Sequence, residues 1–101
     1  MKNFTVCTAE SCTGGNIAHQ ITLVPGSSAY YVGGVVSYAN EVKINTLGVP
    51  AECIIEYGAV SKQTVEAMAM GVRRIMNADY SIATSGIAGP GGGSAEKPVG
   101  T

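Results

Sequence analysis

The sequence predicts an α/β fold, a three-layer α/β/α sandwich on a mostly parallel sheet, and three observations predict it. Short apolar, β-branched runs alternate with segments of helical periodicity. Turns rich in Gly, Ser and Thr follow those runs. The longest helical segment carries a single apolar stripe, as a helix resting on a sheet must. At 101 residues the chain is enough for one small domain, and 46% apolar against 13% charged residues is a globular balance rather than a disordered one.

Phe4 to Thr8 is short, apolar and β-branched, and predicts a buried strand. The polar turn Glu10-Ser11-Cys12-Thr13-Gly14-Gly15 follows. Ile17, Ala18 and Ile21 then recur at helical spacing, predicting a helix from about Gly14 to Leu23, and Pro25-Gly26-Ser27-Ser28 breaks it. Tyr31 to Tyr38 predicts a second strand, in which Gly33-Gly34 marks a bend or a close backbone approach. Asn40 is a predicted cap for a short helix carrying Val42, Ile44 and Leu47, ended by Gly48 and Pro50. Ala51 to Tyr57 predicts another short helix. Ser61 caps the longest one, Lys62 to Asn77, with Val65, Met68, Ala69, Val72, Ile75 and Met76 as its core face. Tyr80 to Thr84 predicts a third strand, Ser85 to Ser94 a glycine-rich loop, and Val99 onward the start of a strand, a place where a whole domain seldom stops.

Composition narrows the function. The formal net charge is -1 and the six Lys and Arg residues are scattered, so a nucleic-acid partner is not expected. No apolar run approaches the roughly 20 residues of a membrane span, so no membrane partner is expected either. Three cysteines without CxxC spacing, Cys7, Cys12 and Cys53, argue against zinc and disulfides and fit a reducing, cytoplasmic setting.

Three segments could carry chemistry. Ser11 sits in a strand-to-helix turn, and in α/β sheets ligands bind in the crevice beyond the strand ends. Free N–H groups at a helix start can hold a phosphate or the oxyanion of acyl transfer. The same residues read equally as a cap, Ser11 or Thr13, with turn glycines. The second segment, Ser37-Tyr38-Ala39-Asn40-Glu41-Val42-Lys43, also follows a strand. A nucleophilic serine needs a base. The sole histidine, His19, lies a helical turn or more past the first motif, whereas a lysine can replace histidine when its pKa is lowered. A solvated lysine paired with a carboxylate is the competing reading of Lys43, and ordinary packing that of Tyr38. The third, Ser85 to Ser94, contains Gly86, Gly89, Gly91, Gly92 and Gly93; its backbone could cradle phosphate, or it is a plain surface loop. It matches neither the Rossmann nor the P-loop fingerprint. Cys12 is a rival nucleophile, since a helix N-terminus can lower a thiol pKa, but no histidine is placed to support it.

Together these segments resemble the CinA C-terminal domain family, which includes the bacterial nicotinamide mononucleotide deamidase. The resemblance rests on AESCTGG at 9–15, VPGSSAYYVGGVVSYANEVK at 24–43, LGVP at 47–50, YGAVS at 57–61 and SGIAGPGGGSAEKPVGT at 85–101, nearly the whole chain. It implies hydrolysis of the carboxamide of nicotinamide mononucleotide to nicotinate mononucleotide and ammonia, serving pyridine-nucleotide recycling. It implies Ser11 as nucleophile, Lys43 as base and Tyr38 beside them; the helix start after Ser11 further predicts that N–H groups at Thr13 to Gly15 stabilise the oxyanion. Glu10, Thr13, Gly14, Gly15, Asn40, Ser85, Gly86, Gly89, Gly91 and Gly92 would bind substrate. It implies no metal and no cofactor, and a small-molecule nucleotide as partner. Family members usually have a helix before the first strand and further strands and a helix after PVGT, so residues 1–101 read as one partial domain whose exposed sheet predicts self-association into a homo-oligomer. A non-catalytic nucleotide-binding or regulatory module, or an inactive fragment, is the alternative function.

Overall fold

A computed structural model describes residues 4–87, 89 and 91–101. Three strands form one parallel sheet in the order β2-β1-β3: β1 (Val6–Glu10), β2 (Tyr31–Val36) and β3 (Tyr80–Thr84). Four α-helices connect or flank them: α1 (Asn16–Thr22), α2 (Asn40–Asn45), α3 (Ala51–Tyr57) and α4 (Lys62–Met76). A 3₁₀ turn at Ser27–Ala29 leads into β2.

Successive side chains of β1 point to opposite faces of the sheet. Cys7 and Ala9 are fully buried in the core with Met68 and Val72 of α4, and with Leu47, Val49 and Ala78. Thr8 and Glu10 face the other way, where Glu10 meets the N–H groups of Ile17 and Ala18 in α1. Helices therefore cover both faces, which is the three-layer arrangement. β1 also lies two residues later than the predicted Phe4–Thr8 segment. Its polar-looking end belongs to the sheet because Ala9 and Glu10 pair with Val35 and Val36 on one side and Ala83 and Thr84 on the other. Phe4 is left half-exposed, its ring edge-on to Tyr80 at 5.5 Å.

Two glycines are required by close approach. A Cβ at Gly34 in β2 would collide with Thr8 Oγ1 and come within 2.8 Å of the Tyr31 hydroxyl, which itself shares a 2.7 Å hydrogen bond with Thr8. A Cβ at Gly71 in α4 would strike the Leu47 carbonyl oxygen. That contact sets the roll of α4. Its buried residues are Thr64, Met68, Gly71 and Val72, so the stripe is rotated from the predicted one and Ile75 remains 49% exposed. Ser61 caps this helix as expected, accepting from the Thr64 N–H at 3.1 Å. Asn77 stops it one residue early by adopting a left-handed conformation, φ 50°.

Two further expectations differ. Asn40 is the first residue of α2 and makes no capping hydrogen bond; the flanking position is Ala39. Val99 lies in a turn rather than a strand, because Gly100 and Thr101 pair back with Ile87 (Gly100 N to Ile87 O 2.6 Å, Ile87 N to Thr101 O 3.2 Å) instead of with a sheet edge.

Gly71→Ala is expected to destabilise the domain although alanine is the better helix former by about 1 kcal/mol. Overpacking against the Leu47 main chain costs about 1–3 kcal/mol, so urea unfolding should show a net loss and a lowered midpoint.

Candidate active site

The chain leaves β1 for α1 on one face and returns from β2 to β3 over the opposite face. This makes the C-terminal end of β1 a topological switch point, where a crevice opens between the diverging connections. Ser11 follows β1 directly, Ser37 and Tyr38 follow β2, and Ser85 to Ile87 follow β3. Parallel pairing brings all three strand ends to one edge, and a cleft of about 290 Å³ lies there, close to the lower limit of small-molecule sites.

Lys43 is the centre of this region. It sits on α2, is 1% exposed, and its Nζ donates to the Ser37 carbonyl at 2.7 Å, the Tyr38 carbonyl at 3.2 Å and Ser11 Oγ at 3.2 Å. All three acceptors are neutral. Among the described residues the single ion pair is Lys62–Glu66 on the surface of α4. Burial accordingly pushes the Lys43 pKa down, outweighing an opposing pull from the Cys12 sulfur. Once neutral, the amine has two hydrogens and one lone pair. The two carbonyls take the hydrogens, and the lone pair is left facing the Ser11 hydroxyl, the geometry a general base needs.

Ser11 is held on its own side by its N–H, which donates to the Thr84 carbonyl at 3.2 Å. Its side chain is nearly buried but opens on the cleft. Glu10, one residue earlier, is 1% exposed and its carboxylate faces α1 rather than the cleft. Oε1 accepts from the Thr13 hydroxyl and the Ile17 N–H, both at 2.7 Å, and Oε2 from the Ala18 N–H at 2.9 Å. Burial raises the Glu10 pKa more than any single bond lowers it. The Thr13 hydroxyl and the N–H groups of Ala18, Ile17 and Gly15 outweigh it together, so the carboxyl stays below its usual range.

The structure gathers Ser11, Tyr38, Asn40, Lys43, Ser85, Gly86, Gly89, Gly91 and Gly92 around the cleft. Glu10, Thr13, Gly14 and Gly15 lie outside its lining. Thr13 bonds Glu10 and approaches Thr84 Oγ1 at 3.1 Å, the Gly14 N–H donates to the Ser11 carbonyl at 3.1 Å, and Gly15 stands before α1 with φ 106°. Tyr38 serves Lys43 through its carbonyl, while its side chain is 74% exposed. Cys12 lines the cleft beside Ser11; His19 is exposed on α1 outside it. Ile87, within the loop expected to line the site, does so, and Ala59 and Val60 line the cleft beyond what was expected. The signal for the latter two was the YGAVS stretch, since Ser85 Oγ donates to the Ala59 carbonyl at 2.8 Å and ties that connection to the strand end. Among the described residues no cluster of three or more His, Cys, Asp or Glu is arranged to hold a metal ion.

The family match spans the whole chain, residues 1–101, and is to the CinA C-terminal domain. This protein belongs to the CinA C-terminal domain family. A CinA-like protein of Cytophaga hutchinsonii is 56% identical over 100 residues, covering 99% of this chain and 24% of its own. Another, from Synechocystis, is 59% identical over 98 residues, covering 96% and 23%. The crystal structure of the competence/damage inducible protein CihA from Agrobacterium tumefaciens superposes with a TM-score of 0.95 at 52% identity, over 97% of this chain and 59% of that one. This CinA domain thus spans about a quarter of the length of those curated relatives and about three-fifths of the solved one.

Because the folded Glu10 pKa lies below its ordinary value of 4.5, its stabilising contribution is complete above that value and is lost as the pH falls through the lower folded one. Acid unfolding followed by circular dichroism should show this loss in the wild type, and Glu10→Gln should flatten that part of the profile.

Proposed function

We propose that this CinA domain is an amidohydrolase acting on the carboxamide of nicotinamide mononucleotide, with Ser11 as nucleophile and Lys43 as its base. The observation that carries the reading is the Lys43 amino group, buried without a carboxylate partner, bonded to two carbonyls and 3.2 Å from Ser11 Oγ. A module that only binds nucleotides has no use for a lysine prepared to be neutral.

The chemistry follows from that arrangement. Ser11 Oγ attacks the amide carbon as its proton passes to Lys43, giving a tetrahedral oxyanion. In place of the expected Thr13 to Gly15 groups, we assign that charge to the N–H of Cys12, which follows the nucleophile and lines the cleft, because Thr13, Gly14 and Gly15 lie outside the lining and the N–H groups of the two glycines are directed to Ser11 and Glu10. The Lys43 ammonium returns its proton to the leaving nitrogen, and ammonia departs, leaving an ester on Ser11. Lys43 then takes a proton from water, which attacks the ester; the carboxylate product leaves and Ser11 regains its hydrogen. Ser85, Gly86, Gly89, Gly91 and Gly92 line the cleft with this pair and would supply main-chain contacts for the nucleotide. Tyr38 and Asn40 also line it. Three free cysteines suit the cytoplasm, where pyridine nucleotides are recycled.

Ammonia release from nicotinamide mononucleotide by the purified protein is the direct test. Ser11→Ala and Lys43→Ala should each lower kcat by about 10³-fold or more, with the double variant little worse, because the pair acts as a unit. Lys43→Arg should fail equally, since a guanidinium does not deprotonate. Cys12→Ser should retain most activity; the reverse pattern, with Cys12→Ser dead and Ser11→Ala active, would make the thiol the nucleophile.

The pH profile has a definite sign. Activity requires neutral Lys43, so kcat/KM should rise with pH through the lowered lysine pKa and level off below the ordinary value near 10.4. A profile still rising in step with an unperturbed lysine would remove Lys43 as base.

A further inference from the structure

We infer that Glu10 is the positioning residue of the Ser11–Lys43 pair, holding nucleophile and base in register from outside the cleft. The inference rests on the dyad reading above and adds a residue that touches neither reacting atoms nor substrate.

Glu10 is joined to the turn that carries Ser11, to α1 and to the Ser37 segment that leads to Lys43. Its side chain binds the turn carrying Ser11 through Thr13 Oγ1, and the start of α1 through the Ile17 and Ala18 N–H groups. Its main-chain carbonyl accepts from the Ser37 N–H at 2.8 Å and lies 3.4 Å from Ser37 Oγ. Ser37 is fully buried and supplies the carbonyl that holds Lys43 Nζ most closely, at 2.7 Å. Two connected paths therefore leave Glu10. One runs through the Thr13 turn to Ser11, the other through Ser37 to Lys43, and they meet again at the 3.2 Å bond between Ser11 and Lys43.

Residues of a turn rich in small side chains have little packing to fix them. Ser11 and Cys12 are followed by Thr13, Gly14 and Gly15, and both glycines have positive φ. A buried carboxylate bonded to the far end of the turn adds a restraint to those that Thr84 supplies through the Ser11 N–H and the Thr13 hydroxyl. Burying that charge is tolerable only because its lone pairs are met by several donors. A residue serving α1 alone could be neutral, as N-cap residues commonly are.

Glu10→Gln tests this. The amide keeps the shape and one acceptor, but sets an NH₂ against a main-chain N–H. The control is Ile21→Ala, which trims a partly buried side chain from α1 without touching the turn. At temperatures matched to equal fractions folded, Glu10→Gln should lower kcat about 10²-fold, the scale of a displacement near 1 Å, with KM changed less than about threefold. Ile21→Ala should keep kcat within about threefold. Crystal structures read the same point without activity: in Glu10→Gln the Ser11 Oγ to Lys43 Nζ separation should open beyond about 4 Å, past hydrogen-bond range. Equal kcat losses in both variants, or a separation unchanged in Glu10→Gln, overturn the inference. If the wild type releases no ammonia, the amidase reading fails by itself and the crystallographic separation alone decides this one. If Glu10→Gln does not fold, Thr13→Val removes one donor from the carboxylate and should show the same kcat-selective loss, about tenfold; an unaltered kcat there overturns the proposal.

Discussion

The parallel pairing of β1 between β2 and β3 is the constraint on which the rest depends. A central parallel strand aligns the C-terminal ends of three segments far apart in sequence: Glu10, Val36 and Thr84 lie in one row of the register. Each chain exit from that row carries part of the site. The central position also makes the strand serve two layers at once, with Cys7 and Ala9 packed toward α4 and Thr8 and Glu10 toward α1. The small side chains of β1 and β2 follow from this, since Thr8 and Tyr31 already occupy the space beside Gly34.

Lys43 shows how the fold turns burial into chemistry. An unpaired ammonium in a protein interior costs several kcal/mol, and each unit of pKa depression is worth about 1.4 kcal/mol. No carboxylate offsets the charge; three neutral oxygens surround it. Burial therefore shifts the balance toward the free amine, the form whose lone pair the proposed base role requires. Glu10 is the counterpart. It is as deeply buried, yet it remains ionised because its acceptors are filled by four donors from the turn and from α1. Two buried titratable groups, Glu10 next to Ser11 in the chain and Lys43 bonded to it in space, are thus shifted by hydrogen bonding and burial, the carboxyl toward its charged form and the amine toward its neutral one.

The opposite side of the sheet is less covered. α1 lies over β1 and β2, while Tyr80 and Ile82 of β3 and Val32 of β2 remain between 44% and 55% exposed. The buried apolar core is consequently concentrated on the α4 side, and the contact of Gly71 with the Leu47 carbonyl is what lets α4 come close enough to close it.

Local pattern by itself determined the types and order of the three strands and four helices and the three strand-end motifs, though not the turn at Val99, because apolar periodicity, glycine and proline punctuation and the Ser61 cap act over a few residues. The resemblance carried by AESCTGG, SYANEVK and the glycine loop pointed to Ser11 and Lys43. What only the tertiary structure decided was anything set by a partner distant in the chain. The shift of β1 onto Ala9 and Glu10 comes from its neighbours' register, and the roll of α4 that exposes Ile75 comes from Leu47. The direction of the Glu10 carboxylate was equally hidden: a glutamate in a polar turn looks like a ligand-binding group until strand alternation sends it to the α1 side. Ala59 and Val60 reach the cleft only because Ser85 draws their connection to the end of β3. Lys43 could have been solvated on sequence grounds alone; its burial among neutral oxygens, and hence its lowered pKa, exists only once β1, β2 and α2 are packed together.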